Sequence, residues 1–178
     1  MLYVGNHWLQ EALSACFGDA SRKKPMTPYF RSGVLQDREL AGEILRLHQI
    51  MEPGRASALE RESGLVKMLH RLVARHSRPR PPERRHAACS TSISLVRDFL
   101  AENLTSNPSL KDLSNITGLS RFHLLRMFSR EVGLTPHAFQ VQLRLQKARA
   151  LIRGGKPLAE AAAASGFSDQ SHLSRHFQ

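Results

Sequence analysis

Apolar side chains recur at intervals of three and four residues along most of the 178-residue chain. This period is that of amphipathic α-helices, so the pattern predicts an all-α fold. Capping and turn residues divide it into helices at about 7–17, 38–51, 58–76, 91–103, 110–116, 136–153 and 158–165, with two further helices after Ser120 and Ser168. Residues 1–5 could form the end of a strand, and residues 18–33 are predicted to form a loop.

Composition divides the chain into three parts, which we take as domains. Residues 1–76 form a helical segment in which helices 38–51 and 58–76 pair as an antiparallel hairpin. Two helices bury their apolar stripes poorly, so this segment needs a partner surface, either a second copy of the chain or a missing domain. Residues 77–90, SRPRPPERRHAACS, are predicted to be a basic, Pro/Arg-rich linker, and residues 91–178 form the third part.

The third part contains the same local pattern twice. Each copy has a short helix, a glycine (Gly118 or Gly166), a serine, and a closing His-Leu-x-Arg-x-Phe at 123–128 or 172–177. The glycines are 48 positions apart and the final phenylalanines 49, so the second copy has one extra residue. Glycine suits a tight turn because it has no Cβ. The pattern predicts two helix-turn-helix units joined by a linker helix at 136–153, which Thr135 caps and Gly154 ends.

The second helix of each unit has two predicted faces. Residues four apart share a face, which predicts the core residues Leu124, Phe128, Leu173 and Phe177. Residues two positions away lie about 200° around the helix, which places on the outside Phe122, Arg126, Ser171 and Arg175. Such a face suits the DNA major groove, where Arg can bind guanine bidentately and an aromatic ring can contact a thymine methyl; a solvated polar face is the alternative.

The predicted DNA-binding residues therefore come from both units. Those of the first unit are Arg121, Phe122, His123 and Arg126. Those of the second are Gln170, Ser171, His172 and Arg175. On the linker helix, Arg144, Lys147, Arg149 and Arg153 are predicted to make the outer side basic.

Residues 91–178 resemble the DNA-binding domain of AraC/XylS-type bacterial transcription regulators. The motifs that carry the resemblance are GLSRFHLLRMF at 118–128, GLTP at 133–136, RLQKA at 144–148 and GFSDQSHLSRHF at 166–177. It implies two helix-turn-helix units that read adjacent major-groove segments, with double-stranded DNA and RNA polymerase as partners. The family domain continues beyond the position of Gln178 and has a larger aliphatic residue near position 161. We therefore expect a second unit that is C-terminally truncated and underpacked.

Residues 1–76 resemble, more loosely, the segment that follows the ligand-binding barrel in the same regulators. This resemblance implies a homodimer formed through residues 37–76. Because almost all of the barrel is absent, no effector is expected to bind this chain.

Composition and the remaining chemistry favour the same class. A formal charge of +11, from 26 Lys and Arg against 15 Asp and Glu, favours a polyanionic partner such as nucleic acid. No apolar run is long enough to cross a bilayer, no signal peptide is evident, and Cys16 and Cys89 lack redox or zinc spacing, so we expect a cytoplasmic protein with reduced thiols. No nucleophile–base set, phosphate-binding loop or zinc framework is found, so no catalytic residue, metal or cofactor is expected.

The sequence thus favours a sequence-specific, DNA-binding transcriptional regulator. The alternative is a truncated, dimerising fragment that does not bind DNA specifically and acts through protein–protein interaction.

Overall fold

The computed structural model describes residues 6–17, 29–30, 35–52, 54–78 and 90–177. Within these ranges the fold is all-α, as predicted. The helices are α1 (Asn6–Phe17), α2 (Arg38–Ile50), α3 (Ala58–His76), α4 (Ser90–Glu102), α5 (Leu110–Thr117), α6 (Arg121–Val132), α7 (Pro136–Arg153), α8 (Leu158–Ser165) and α9 (Gln170–Arg175). None of these helices is both long and apolar enough to cross a membrane.

A short antiparallel strand pair, β1 (Tyr29–Phe30) and β2 (Ser77–Arg78), accompanies the helices. Tyr29 and Phe30 lie within the loop predicted at 18–33, and Ser77 and Arg78 begin the linker predicted at 77–90, so these predictions are wrong at the four paired positions. The backbone pairing between residues far apart in the chain has no local signal in the sequence. The rest of that loop, residues 18–28 and 31–33, lies outside the described residues. So do residues 79–89 of the linker and the strand end predicted at 1–5.

Capping side chains begin helices α2, α5 and α7 where the sequence predicts them. Asp37 Oδ1 accepts a hydrogen bond from the Leu40 N–H at 3.0 Å, which starts α2. Ser109 and Asp112 satisfy each other's backbone N–H groups in a reciprocal capping box at the start of α5. Thr135 caps α7, and Pro136 lies in its first turn. Proline is tolerated there because a backbone N–H at this position would have no acceptor within the helix.

The larger hydrophobic core is shared by both halves of the chain. Helices α2 and α3 form the predicted hairpin, and α3 also packs against α5, α6 and α7. The buried residues Leu59, Val66 and Val73 of α3 belong to the same hydrophobic cluster as Leu100 of α4 and Phe128 of α6. The partner surface that the hairpin needs is therefore supplied by helices α5–α7 of the same chain, as well as by α1. The domain division at 76 and 91 stays a prediction, and this core extends across it.

A second, smaller core lies between α7, α8 and α9. Its buried residues are Val141, Leu145, Ala148, Ala162, Phe167 and Leu173. The alanines of α8 are small, and Ala161 and Ala162 are fully buried where α8 meets α7.

Three of the four core residues predicted in the second helices are confirmed, and Phe177 is not. Leu124, Phe128 and Leu173 are fully buried, whereas Phe177 is 38% exposed. The reason is that α9 ends at Arg175, so the four-residue helical spacing that would place Phe177 beside Leu173 is not maintained. The ring instead lies 5.6 Å from the Arg149 guanidinium.

Candidate nucleic-acid interface

The turn of the first unit has the predicted geometry. Gly118 ends α5 at φ +68°, in the left-handed region that glycine adopts without steric cost. Ser120 then caps α6, and its Oγ accepts a hydrogen bond from the His123 N–H at 3.3 Å. Helices α5 and α6 thus form a helix-turn-helix pair.

The turn of the second unit differs from the first by one position. Gly166 ends α8 at φ +88°. The N-cap of α9 is Asp169, so the prediction that Ser168 caps this helix is wrong. Asp169 Oδ1 accepts the His172 N–H at 2.6 Å, and Ser168 Oγ donates to Asp169 Oδ2 at 3.0 Å. These bonds lower the pKa of Asp169 and keep its carboxylate charged at the helix N-terminus. The extra residue of the second copy lies in this turn and moves the cap by one.

A buried arginine joins the two units. Arg144 of α7 is only 3% exposed, so the prediction that it belongs to a basic outer side is wrong. Its Nε donates to the Leu104 carbonyl oxygen at 2.7 Å, and its Nη2 donates to the Ser106 carbonyl oxygen at 2.6 Å and to Asn107 Oδ1 at 3.1 Å. The three acceptors belong to the loop between α4 and α5, and they face α7. The turn at Gly166 packs on the same loop, because a Cβ there would lie 2.6 Å from the Leu104 oxygen.

The linker helix α7 sets the spacing of the units. It has 18 residues, which corresponds to about 27 Å at 1.5 Å per residue. This length is of the same order as one turn of DNA, about 34–36 Å, which separates adjacent major-groove segments on one face of a duplex. Lys147, Arg149 and Arg153 are exposed along it, as predicted.

The second recognition helix presents its predicted residues to solvent. Gln170, Ser171 and Arg175 of α9 are exposed, while Leu173 anchors the helix in the second core. One face of α9 therefore carries an amide, a hydroxyl and a guanidinium, which are side chains that can hydrogen-bond to base edges.

His172, the fourth predicted residue of this helix, is partly held by the protein. Its ring packs edge-on against Phe167 at a centroid distance of 5.3 Å, and its Nδ1 lies 3.1 Å from Ser168 Oγ. Burial, together with the positive charge of His176 and Arg175, lowers the pKa of His172. The imidazole is therefore neutral at pH 7.

The outer face of the first recognition helix is covered, which the sequence does not predict. Phe122, expected to be exposed, is 2% exposed, and Leu125 beside it is 6% exposed. Arg126 and His123 are partly buried. The reason is that α1 and α3 pack against α6, so the expected exposure of Phe122 is wrong in this arrangement.

Arg121, at the start of α6, is bound by two residues of α1. Its guanidinium forms an ion pair with the Glu11 carboxylate, with Nε 3.1 Å from Oε2. It also lies over the Trp8 ring, 3.7 Å from the centroid, a cation–π contact. The sequence offers no local pattern that pairs these residues, since Glu11 and Arg121 are 110 positions apart.

No metal-binding group stands out in the described part of the chain. Among those residues, no three or more His, Cys, Asp or Glu side chains are clustered so that they could hold a metal ion. Burial raises the pKa of the Cys16 thiol to about 11, so this cysteine is a poor nucleophile at neutral pH. Cys89 lies outside the described residues.

Two glycine turns, two recognition helices and a rigid linker define a double helix-turn-helix protein, and comparison with known proteins agrees. Residues 113–178 match a helix-turn-helix domain family. Over 153 residues the chain is 33% identical to YbfI of Bacillus subtilis, an uncharacterised HTH-type transcriptional regulator, covering 82% of this chain and 52% of YbfI. Over 91 residues it is 33% identical to the multiple antibiotic resistance protein MarA of Escherichia coli, covering 49% of this chain and 69% of MarA. A solved structure of a probable AraC family regulator from Rhodopseudomonas palustris is 28% identical, covering 49% of this chain and 84% of that one, with a TM-score of 0.46.

The chain belongs to the AraC/XylS family of transcription regulators. It spans about half the length of YbfI.

Proposed function

We propose that this protein is a sequence-specific, DNA-binding transcriptional regulator that reads two adjacent major-groove segments. The observation that carries the proposal is the duplicated unit: two helix–glycine turn–helix pairs held apart by α7 and joined by the Arg144 contacts to the α4–α5 loop. A rigid pair of recognition helices fits two groove segments on one face of a duplex. The naming of YbfI as a transcriptional regulator supports the same function.

In this proposal, α9 reads one segment. Arg175 binds guanine or a phosphate, and Gln170 and Ser171 contact base edges, since all three side chains are exposed on the same short helix. His172 contributes a neutral ring that Phe167 and Ser168 hold in place.

The other segment is assigned to α6. Arg121 contacts a phosphate or guanine, Arg126 a guanine, and Phe122 and His123 lie near the bases. The Nη2 of Arg126 is buried and has no hydrogen-bond partner among the described residues. A buried guanidinium nitrogen with an unused donor suits a base acceptor that only the DNA supplies.

Charge and apolar surface suggest the remaining partners. The formal charge of +11 and the exposed Lys147, Arg149 and Arg153 favour the DNA backbone. On α2, Ile44 is 37% exposed and Leu45 is 66% exposed, and we propose that they form part of a homodimer contact within residues 37–76. RNA polymerase as a further partner and the cytoplasm as the location follow from the proposed role in transcription.

The test is selection of duplexes by the full chain from a randomised pool, followed by affinity measurements on the selected duplex. Arg175→Ala should lose about 5- to 150-fold in affinity, which corresponds to roughly 1–3 kcal/mol for one bidentate base contact. Arg46→Ala is the matched control, because Arg46 is exposed on α2, away from both recognition helices. An Arg175→Ala chain that binds as tightly as the Arg46→Ala chain would refute the assignment of α9.

A further inference from the structure

Helix α6 is buried on two opposite sides. Leu124 and Phe128 face the core, as in any recognition helix packed on its own domain. Phe122 and Arg126 are one turn apart on the other side, which must face the major groove if α6 reads DNA. Phe122 is nevertheless 2% exposed.

Helix α3 lies over this groove-facing side. Helices α3 and α6 are in contact, and a cavity of about 290 Å³ between them is lined by Val66, Lys67 and His70 of α3 and by Phe122 and Arg126 of α6. The major groove is about 12 Å wide, and one helix with its side chains is about 10–12 Å across. Two packed helices therefore do not fit into the groove together, and α6 cannot enter it while α3 occupies this position.

Helix α1 covers the N-terminal end of α6 with a negative charge. The Glu11 carboxylate accepts hydrogen bonds from the Arg121 backbone N–H at 3.2 Å and from Arg121 Nε at 3.1 Å. Backbone N–H groups at a helix N-terminus, together with an arginine, are the donors that commonly bind a DNA phosphate. Glu11 therefore binds the donors that a DNA phosphate would use if α6 read DNA.

We propose that α1 and α3 form an intramolecular lid over the first recognition helix, in which Glu11 takes the place of a DNA phosphate. The proposal rests on the proposed function. In the closed arrangement Gln170, Ser171 and Arg175 of α9 stay exposed and bind its segment, and α6 binds only after α1 and α3 move away. The unused Nη2 donor of Arg126 favours the open state once DNA is present, because a base acceptor then satisfies it.

The lid predicts that weakening the Glu11 contact tightens DNA binding. The apparent affinity is the intrinsic affinity multiplied by the open fraction, so a variant that raises the open fraction lowers the apparent Kd. Glu11→Gln removes one partner of a charge-assisted pair and should tighten binding about tenfold. Gln10→Lys is the matched control: Gln10 is exposed on the same helix, and this change raises the net charge by the same single unit.

The experiment uses the full chain and duplexes of about 30 base pairs, three helical turns, selected from a randomised pool. Affinity and footprint are measured for the wild type, Glu11→Gln and Gln10→Lys, and helical content is checked by circular dichroism. The lid predicts strong protection of one segment by the wild type, and of both segments by Glu11→Gln. Equal affinities for Glu11→Gln and Gln10→Lys would overturn it.

A second measurement follows the lid without any substitution. The chain has one tryptophan, Trp8, whose ring lies against Arg121. Its emission should shift to the red as DNA is added, because opening transfers the ring to water. If the wild type protects both segments with unchanged Trp8 emission, the lid is wrong and the regulator function stands. If no variant selects any sequence, the proposed function fails, and the lid fails with it.

Discussion

Replacing Gly166 by alanine tests the joint between the two units, and Gly118 supplies an internal control at the equivalent turn of the other unit. Both glycines have positive φ, +88° and +68°, which costs an alanine roughly 1–2 kcal/mol. At Gly166 the new Cβ would also lie 2.6 Å from the Leu104 carbonyl oxygen and 2.9 Å from Arg144 Nε, whereas at Gly118 nothing lies within 4 Å. Such overpacking against backbone adds about 1–3 kcal/mol.

We therefore expect Gly166→Ala to lower the free energy of unfolding by about 2–5 kcal/mol and Gly118→Ala by about 1–2 kcal/mol. Urea titration of both full-length variants, followed by circular dichroism, measures the difference. The contact between Arg144 and the α4–α5 loop should weaken only in the Gly166→Ala variant, since the clash displaces its acceptor. Equal losses for the two variants would refute the packing of the Gly166 turn on this loop.

Three further changes test other contacts by the same urea assay. Arg144→Ala should cost about 3–5 kcal/mol, because the three hydrogen bonds that the buried guanidinium donates are lost; Lys147→Ala, at an exposed position of the same helix, should change stability little. Ser109→Ala should cost about 1 kcal/mol through loss of the capping box, and a neutral result would contradict that cap. Burial and neighbouring positive charges lower the pKa of His137 from 6.5 to about 4 in the folded chain. As the pH falls, the His137 ring is therefore protonated in the unfolded chain before it is protonated in the folded chain. The full contribution of this neutral ring to the free energy of unfolding is present above pH 6.5, and up to about 3 kcal/mol is lost as the pH decreases to about 4. His137→Gln should reduce this pH dependence, whereas His48→Gln, at an exposed position, should leave it unchanged.

The elements set by local chemistry are those that the sequence predicts well. The bounds of α7 follow from Thr135, Pro136 and Gly154, and the start of α5 follows from the Ser109–Asp112 box. In these cases the residues that stop or start a helix act within a few positions of their own backbone. The duplicated glycine turn is predictable for the same reason.

The failures come from contacts between residues far apart in the chain. The charge of Arg144 favours a solvated face, but its side chain is buried and donates a hydrogen bond to a carbonyl oxygen 40 positions away. Phe122 occupies the outer side of α6, and only the packing of α1 and α3 covers it. The engagement of Arg121 by Glu11 has no signature in the sequence. Helical periodicity tells which residues share a face, and it does not tell which other element packs on that face.

Helical phasing tests most directly whether two recognition helices, held apart by α7, read two adjacent segments. Once the duplex selected by the Glu11→Gln chain, in which α6 is expected to be open, is footprinted, about 5 base pairs, half a helical turn, are inserted between the two protected segments. The second segment then faces the other side of the duplex, and the two helices cannot both bind. We predict a loss of about 100-fold or more in affinity, since the gain from linking two binding units disappears. Unchanged affinity after the insertion would contradict the account, because it would mean that the two units do not bind together as one rigid reader.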